Sequence, residues 1–139
     1  MARGATDALA RVPLFEELSS RHLRRVAELM QEVSYHDGAP VVTEGQDGDS
    51  LYMIVEGEAK VMRGKRSVDK LLPGDVFGEI SLLDGGPRTA TVVASTPLRL
   101  LEIRRDPFRK MLEQEPGITV KLLGALAKRF RRMSRSIAG

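Results

Sequence analysis

The residues best suited to chemistry in this chain lie close together, between Phe77 and Ala94. Gly78 precedes a short apolar stretch that predicts a helical turn, and the free N–H groups at the start of a helix attract anions. Arg88 lies on the far side of the following glycine-rich loop, and its planar guanidinium carries donors that suit phosphate. Thr89 adds a hydroxyl donor beside it. The segment therefore predicts an anion site.

Glu79 gives this segment a second chemical character. A carboxylate is a poor partner for phosphate, because both groups are negatively charged acceptors, but it is a good acceptor for the hydroxyl groups of a sugar. The combination of Glu79 with Arg88 and Thr89 therefore suits a ligand that carries one phosphate and one ribose.

The chain offers few other groups for catalysis. It has no cysteine and only two histidines, His22 and His36, one on a predicted helix and one before a predicted strand. The two or three imidazole ligands of a metal-dependent β-roll enzyme cannot be assembled from them. No serine lies in the strand–turn–helix elbow of a hydrolase. We therefore expect no enzyme activity, no metal and no cofactor.

Positive charge is concentrated at the C-terminal end of the chain. The sequence has 22 Lys and Arg against 19 Asp and Glu, a net charge of +3. Six of the cations and none of the acids follow Gly117, which leaves 16 cations and 19 acids before it. We interpret the basic segment as the solvated face of a helix. The alternative is a DNA-binding fragment, which salt-dependent binding to duplex DNA would reveal.

No apolar run in the sequence approaches the length of a membrane span. The first residues, MARGATDALARVPLF, also lack the continuous apolar stretch of a secretory signal. A chain with no cysteine has no disulfide that would need an oxidising compartment. We therefore expect a cytoplasmic protein without a membrane span.

Strand-like segments alternate with glycine-centred turns after Val33. Their spacing of roughly ten residues is typical of an antiparallel sandwich or small barrel and not of a βαβ fold. After Ser50, apolar residues occupy both sets of alternating positions, which predicts a strand that is covered on both faces. The predicted strands are Pro40–Thr43, Ser50–Val55, Ala59–Met62, Ser67–Leu72, Thr89–Ala94 and Leu98–Ile103.

Helices are predicted on both sides of this region. Ser19, or the serine after it, is a suitable N-cap for a helix in the first third of the chain. Asp106 and Pro107 are typical of the N-cap and first position of a helix that continues to about Gln114. Pro116 begins a last helix with an apolar stripe at helical spacing. The stripe consists of Leu122, Leu126, Phe130, Met133 and Ile137.

The segment from Phe77 to Ala94 resembles the phosphate-binding cassette of the cyclic nucleotide-binding domain family. This family includes the catabolite activator protein, protein kinase A regulatory subunits and cyclic-nucleotide-gated channels. Its pattern is F-G-E, a short hydrophobic helix, a small or glycine-rich loop and then P-R-[AST]-A-[TS]-V. The chain matches every element between Phe77 and Val92. Outside the cassette, the family's turn and strand positions are matched by Gly45, Asp49, Leu51, Tyr52, Gly57, Gly74 and Asp75.

The resemblance implies a fold and its extent along the chain. We expect one cyclic nucleotide-binding domain of the α+β class over residues 8–136. It would consist of a jelly-roll-like antiparallel β-roll of about eight strands, short N-terminal helices, a phosphate-binding cassette helix and two C-terminal helices.

The resemblance also implies roles for the site residues. Arg88 is expected to pair with the cyclic phosphate, and Glu79 to accept a hydrogen bond from the ribose 2′-OH. Thr89 is expected to contact the equatorial phosphate oxygen, and it can also hydrogen-bond a guanine amino group. The expected cyclic nucleotide site consists of Gly78, Glu79, Ile80, Ser81, Arg88 and Thr89.

We therefore expect a regulatory sensor that binds a 3′,5′-cyclic nucleotide. Cyclic AMP is the expected ligand, and cyclic GMP stays open because Thr89 is compatible with both. The C-terminal helices are expected to move on binding. The first turns of the last helix would close over the purine, and its distal turns would pair with a second copy in a homodimer.

One alternative to this function keeps the fold and loses the ligand. A degenerate, nucleotide-free β-roll would then act as a protein interaction or dimerisation module. A transcription factor of the family would continue into a helix-turn-helix, which this sequence lacks. We therefore expect a stand-alone sensor or an excised regulatory domain, do not expect DNA binding, and can name no downstream effector from the sequence.

Overall fold

A computed structural model describes residues 2–138 of the chain, with side chains described for residues 4–135. The helices are α1 (Ala2–Ala10), α2 (Ser20–Ala27), α3 (Glu79–Asp84), α4 (Arg105–Gln114) and α5 (Pro116–Ala138), with a 3₁₀ turn at Pro13–Phe15. The strands are β1 (Gln31–Tyr35), β2 (Pro40–Val42), β3 (Ser50–Glu56), β4 (Ala59–Arg63), β5 (Arg66–Leu71), β6 (Val76–Phe77), β7 (Thr91–Ala94) and β8 (Leu98–Arg104).

These elements form two compact units. The β unit spans Leu29–Phe108, and the helical unit combines the chain up to Glu28 with the chain from Arg109 onward. The β unit contains all eight strands and the short helix α3. The helical unit contains α1, α2, α5 and most of α4.

The β unit consists of two four-stranded sheets. Their strand orders are β1-β8-β3-β6 and β2-β7-β4-β5, and every pair of neighbouring strands is antiparallel. Sequential strands thus often lie in different sheets, which is the topology of a jelly-roll-like β-roll. The predicted fold class, α+β with a β-roll of about eight strands, is confirmed.

The core of the β unit contains residues from both sheets. Tyr52 and Ile54 on β3 cluster with Val92 and Ala94 on β7 and with Leu100 on β8. The opposite face of β3 is covered as well, since Leu51 and Met53 are also buried. The prediction that β3 is covered on both faces is therefore confirmed.

Two strands of the structure have no counterpart among the predicted ones. β1 alternates exposed and half-buried residues in a weakly apolar sequence, QEVSY, and β6 has only two residues. Neither length nor pattern distinguishes such segments from loops. The predicted strand that begins at Thr89 in fact begins at Thr91, which leaves Thr89 in the loop.

The helical unit shows how local sequence sets the ends of its helices. The Ser19 side chain accepts a hydrogen bond from the His22 backbone N–H at 3.2 Å and is the N-cap of α2, as predicted. α4 begins at Arg105, so the prediction that Asp106 is its N-cap was wrong by two residues. Asp106 lies instead in the first turn, where a carboxylate still interacts favourably with the helix dipole. α5 begins at Pro116, as predicted.

The predicted apolar stripe of α5 is buried at its start and exposed further along the helix. Ile118, Leu122 and Ala125 are buried, with Leu122 only 3% exposed. A second, exposed stripe lies beside them. It consists of Val120, Leu123, Leu126, Phe130 and Met133. The side chain of Ile137, which the prediction also included, lies outside the described residues.

Candidate functional site

The β unit contains a cavity of about 410 Å³ that is lined by the predicted site residues. Its walls come from the β4–β5 hairpin, from β2, β6 and β7, and from the segment that carries α3 and the loop after it. The structure therefore brings together two stretches that are separated by six residues of sequence. All six predicted residues line the cavity, namely Gly78, Glu79, Ile80, Ser81, Arg88 and Thr89.

Gly78 is required at the start of α3 for two separate reasons. Its φ angle is +91°, a left-handed conformation that residues with a side chain rarely adopt. A Cβ atom at this position would also lie 2.6 Å from Nη1 of Arg88 and 2.7 Å from the carbonyl oxygen of Ser50. A larger residue would thus push the arginine out of place.

The N-terminus of α3 is open toward the cavity. Gly78 is its N-cap and has no side chain to cap it, while its carbonyl accepts the first helical hydrogen bond, from Leu82 N–H at 3.2 Å. The backbone N–H groups of Glu79, Ile80 and Ser81 have no acceptor within the helix, as at any helix start. All three residues line the cavity.

Arg88 is buried without an acidic partner. Its side chain is 8% exposed, and Nη1 donates a hydrogen bond to the Ser50 carbonyl at 2.9 Å. No carboxylate among residues 4–135 forms an ion pair with it. Burying a charge without an ion pair is costly, and the guanidinium has further N–H donors besides the one bonded to Ser50.

The backbone of Arg88 is fixed by the turn before β3. Arg88 N–H donates to the Gln46 carbonyl at 2.9 Å, and Gly45 N–H donates to the Arg88 carbonyl at 2.9 Å. Gly48 N–H donates to the Gly86 carbonyl at 3.0 Å. These three bonds hold the loop that carries the arginine against a turn about forty residues earlier in the chain.

Gly48 is a site residue that the sequence analysis missed. A Cβ atom there would overlap the Nε and Cζ atoms of Arg88. The φ angle of Gly48 is not positive, so the reason for glycine is space for the guanidinium and not backbone conformation. The sequence shows only a glycine in a turn, which gives no sign of a distant arginine.

Tyr52 lies beneath the guanidinium of Arg88. The guanidinium carbon lies 5.9 Å from the centre of the tyrosine ring, within the range of a cation–π interaction. The ring also stacks on Phe77, with centroids 5.3 Å apart and planes at 23°. Burial, followed by the charge of Tyr35 and Glu102, raises the pKa of the Tyr52 hydroxyl above its ordinary value of 10.0. Tyr52 is therefore neutral near pH 7 and does not neutralise the arginine.

The side chains of the other predicted residues differ in exposure and in hydrogen bonding. Ser81 is 4% exposed, and its hydroxyl donates to the Gly86 carbonyl at 3.2 Å, so this side chain closes the loop. Glu79 has no ion pair among the described side chains, and its carboxylate can accept hydrogen bonds from a ligand. Thr89 is exposed at the cavity wall.

The remaining walls of the cavity were not part of the predicted site. Most of the additional side chains are apolar and come from five strands: Val42, Val61, Leu71, Val76, Val92 and Phe77. Two charged residues from the β4–β5 hairpin, Arg63 and Asp69, also line it. The cavity thus combines a cationic and amide-rich end with an apolar surface.

Comparison with known proteins agrees with this geometry. Residues 32–115, which include every residue of the cavity, match the family model described as "Cyclic nucleotide-binding domain". The chain belongs to the cyclic nucleotide-binding domain family. The chain is also 33% identical over 137 residues to a CRP-like cAMP-activated global transcriptional regulator of Mycobacterium tuberculosis. That match covers 95% of this chain and 61% of the relative's length.

Two solved structures of the family resemble the domain. One is the N-terminal domain of a transcriptional regulator from Streptomyces coelicolor A3(2), with a TM-score of 0.84 and 33% identity, covering 94% of this chain and 95% of that one. The other is the regulatory domain of Toxoplasma gondii PKA in complex with cAMP, with a TM-score of 0.68 and 33% identity, covering 78% of this chain and 43% of that one.

Among the described residues, no group of three His, Cys, Asp or Glu side chains is placed to hold a metal ion. In the same part of the chain, no helix combines the length and apolar character needed to cross a bilayer.

Proposed function

We propose that this domain binds a 3′,5′-cyclic nucleotide, that cyclic AMP is its ligand, and that binding is its whole activity. The observation that carries the proposal is the buried guanidinium of Arg88. It has one backbone carbonyl as a partner, no carboxylate among residues 4–135, and the open N-terminus of α3 in the same cavity. A single phosphate charge would complete this arrangement.

The other polar groups of the site fit the rest of a cyclic nucleotide. The Glu79 carboxylate accepts the ribose 2′-OH, and the Thr89 hydroxyl donates to the equatorial phosphate oxygen. The backbone N–H groups of α3 add donors to the sugar-phosphate. A volume of about 410 Å³ lies within the range of small-molecule pockets. Ser81 contributes its backbone N–H, since its hydroxyl is already bonded to Gly86.

The choice of cyclic AMP rests on the similar proteins. The relative from Mycobacterium tuberculosis is described as cAMP-activated, and the structure from Toxoplasma gondii contains cAMP. Cyclic GMP remains the competing ligand, because the exposed hydroxyl of Thr89 is also able to bond a guanine amino group. Both similar proteins are described as regulators, which supports a regulatory sensor and not an enzyme.

We further propose that the sensor domain spans residues 8–136 and that its output is a movement of the C-terminal helices. The chain passes from the β unit to the helical unit between Phe108 and Arg109, within α4. Because α4 crosses this boundary, we expect it to transmit a change at the cavity toward the last helix. We also propose a cytoplasmic location, because the chain has no cysteine and needs no oxidising compartment.

A second candidate role, dimerisation, is favoured by the exposed stripe of α5. Leu123, Leu126, Phe130 and Met133 recur at spacings of three, four and three residues, the pattern of a coiled-coil seam. Phe130 is 70% exposed and Met133 58% exposed. We propose that this seam pairs with a second copy. A domain that lost its ligand could retain this role alone, as the nucleotide-free alternative requires.

Calorimetric titration of the wild-type domain with cyclic AMP, cyclic GMP and 5′-AMP tests the proposal. We expect one cyclic AMP per chain, weaker binding of cyclic GMP, and the weakest binding of 5′-AMP, which has an extra charge and an open phosphate. Absence of heat with both cyclic nucleotides, together with a dimer in sedimentation, would favour the nucleotide-free alternative.

A further inference from the structure

Four residues lie close to the guanidinium of Arg88. Its Nη1 donates a hydrogen bond to the Ser50 backbone carbonyl at 2.9 Å, and a Cβ atom at Gly48 or Gly78 would overlap the guanidinium. The ring of Tyr52 lies beneath it, with 5.9 Å between the guanidinium carbon and the ring centre. Ser50 contributes its backbone and the two glycines have no side chain. Tyr52 is therefore the only one of the four whose side chain interacts with the guanidinium.

Tyr52 is buried and does not line the cavity. A ligand in the cavity is therefore not expected to touch its ring. Two neighbours of the ring, Arg88 and Phe77, do line the cavity. Any effect of Tyr52 on a ligand must pass through such a neighbour, so substitution of the neighbour reveals the route.

The Tyr52 ring is held by the strands on both sides of β3. Phe77 on β6 is its partner in the strand register and stacks on it, with ring centroids 5.3 Å apart. Glu102 on β8 is its register partner on the other side, and the Glu102 carboxylate accepts a hydrogen bond from the Ser50 hydroxyl at 2.7 Å. Because three strands hold the ring, its face gives the guanidinium a defined surface to pack on.

An aromatic ring holds a guanidinium in a different way from a carboxylate. The face of the ring carries partial negative charge and attracts a cation within about 6 Å of its centre. The ring does not neutralise the cation, so the guanidinium keeps its charge for a ligand. A carboxylate in the same place would repel the phosphate. A ring therefore suits a cation that must be oriented and still bind an anion.

We propose that Tyr52 is a positioning residue of the phosphate site, whose ring holds the Arg88 guanidinium in the orientation that binds the cyclic phosphate. The inference rests on the proposed function, because it needs a phosphate ligand at Arg88. Without the ring, the guanidinium adopts other rotamers in the free protein. The apparent affinity then falls with the fraction of molecules that remains correctly oriented.

A double-mutant cycle separates an effect through Arg88 from any other. Dissociation constants for cyclic AMP are measured by calorimetry for wild type, Tyr52→Leu, Arg88→Ala and the double variant. We expect Tyr52→Leu to weaken binding by about tenfold. In the Arg88→Ala background it should have little effect, because the guanidinium is then absent. Tyr52→Phe keeps the ring and should rescue binding to near the wild-type value.

Fluorinated rings test the charge of the ring at nearly constant shape. Fluorine withdraws electrons, so a phenylalanine with three ring fluorines at position 52 has a less negative face than phenylalanine itself. We expect this protein to bind cyclic AMP about threefold more weakly than Tyr52→Phe. The two should bind equally when Arg88 is replaced by alanine. This comparison keeps the inference testable even if Tyr52→Leu fails to fold, which melting temperatures will show.

Tyr35→Leu is the matched control. Tyr35 is the other tyrosine of the chain, packs against the same core cluster and does not line the cavity. Its replacement removes a similar ring from the core and leaves the ring of Tyr52 in place. We expect a lower melting temperature and unchanged affinity for cyclic AMP.

Three outcomes would overturn the inference. Additive losses in the cycle would show that Tyr52 does not act through Arg88. Equal affinities of the fluorinated and unfluorinated rings would show that the charge of the ring face does not matter. An equal loss in Tyr35→Leu would show that affinity follows the stability of the core. If the wild type binds no cyclic nucleotide, the proposed function fails as well; if it binds and any of these three results is obtained, only this inference fails.

Discussion

The chemistry of the site depends on two side chains of opposite charge, Arg88 and Glu79, which line one cavity without forming an ion pair. We propose that the phosphate of a cyclic nucleotide binds the guanidinium and that its ribose hydroxyl donates to the carboxylate. Each side chain therefore has its own chemical test.

Glu79 is tested with the 2′-deoxy form of cyclic AMP. Removing the hydroxyl leaves the acceptor unpaired, at a cost of about 1–3 kcal/mol in binding. The preference for cyclic AMP over its deoxy form should disappear in Glu79→Ala. Equal affinity of the wild type for the two ligands would show that Glu79 acts only at the start of α3, through the helix dipole.

Gly48 is tested by a double-mutant cycle with Arg88. Gly48→Ala places a methyl group where the guanidinium lies, so it should weaken cyclic AMP binding by about tenfold or more. In the Arg88→Ala background the same substitution should have little further effect, because the space is then empty. Additive losses in the cycle would mean that Gly48 acts elsewhere.

Tyr52 makes the free energy of unfolding of the domain depend on pH in the alkaline range. Its pKa is raised in the folded state, so folding favours the protonated hydroxyl. The stabilisation is complete below the ordinary value of 10.0 and is lost as the pH rises above it. Urea unfolding at a series of pH values should show a smaller alkaline loss of stability in Tyr52→Phe than in wild type. Parallel curves for the two proteins would contradict this.

At the scale of elements, the sequence allowed the cassette to be predicted because its parts are contiguous. Gly78, α3, the glycine loop and Arg88 all lie within eleven residues, and local propensity is enough to order them. The closeness of Gly48 to Arg88 could not be predicted, because it arises only when two distant segments of the chain meet. β6 was missed for a related reason, since two residues pair with β3 without any pattern of their own.

α5 illustrates a different limit of sequence patterns. Met133 lies eleven residues, or about three helical turns, after Leu122 and therefore on nearly the same side of the helix. Leu122 is nevertheless buried and Met133 exposed, because the distal turns of the helix are not covered. Periodicity shows that the two residues share a side of the helix and does not show where the covered surface ends.

The exposed stripe of α5 predicts a dimer that one charge should disrupt. Phe130→Glu places a carboxylate in the centre of the proposed seam, and sedimentation should then show a monomer where the wild type is a dimer. Arg131→Glu, at an exposed neighbouring position off the seam, is the matched control and should remain a dimer. The clustered arginines oppose close pairing, and a wild type that is monomeric at all concentrations would exclude the seam.

In the whole molecule, the proposed movement of the C-terminal helices requires that nucleotide binding in the β unit affects the helical unit. Hydrogen exchange measured with and without cyclic AMP tests this directly. We expect slower exchange around residues 78–89 and a change in the rate within α5. Changes confined to residues 29–108 would mean that the domain binds its ligand without this output.

The chain corresponds to only part of the relative from Mycobacterium tuberculosis. The domain spans 61% of the length of its relative from Mycobacterium tuberculosis. The activity and partners of such a whole protein are therefore separate proposals. What this chain contains is the cavity, the cassette and the helices that follow them.

The central claim is that the buried guanidinium of Arg88 binds the phosphate of a cyclic nucleotide. Calorimetric titration of Arg88→Ala with cyclic AMP tests it most directly, with Arg66→Ala as the control, because Arg66 is an exposed arginine of the same unit that does not line the cavity. We predict that Arg88→Ala remains folded and loses about 2–5 kcal/mol of binding free energy, roughly 30-fold or more in affinity, while Arg66→Ala binds like wild type. An Arg88→Ala protein that binds cyclic AMP as tightly as wild type would contradict the account.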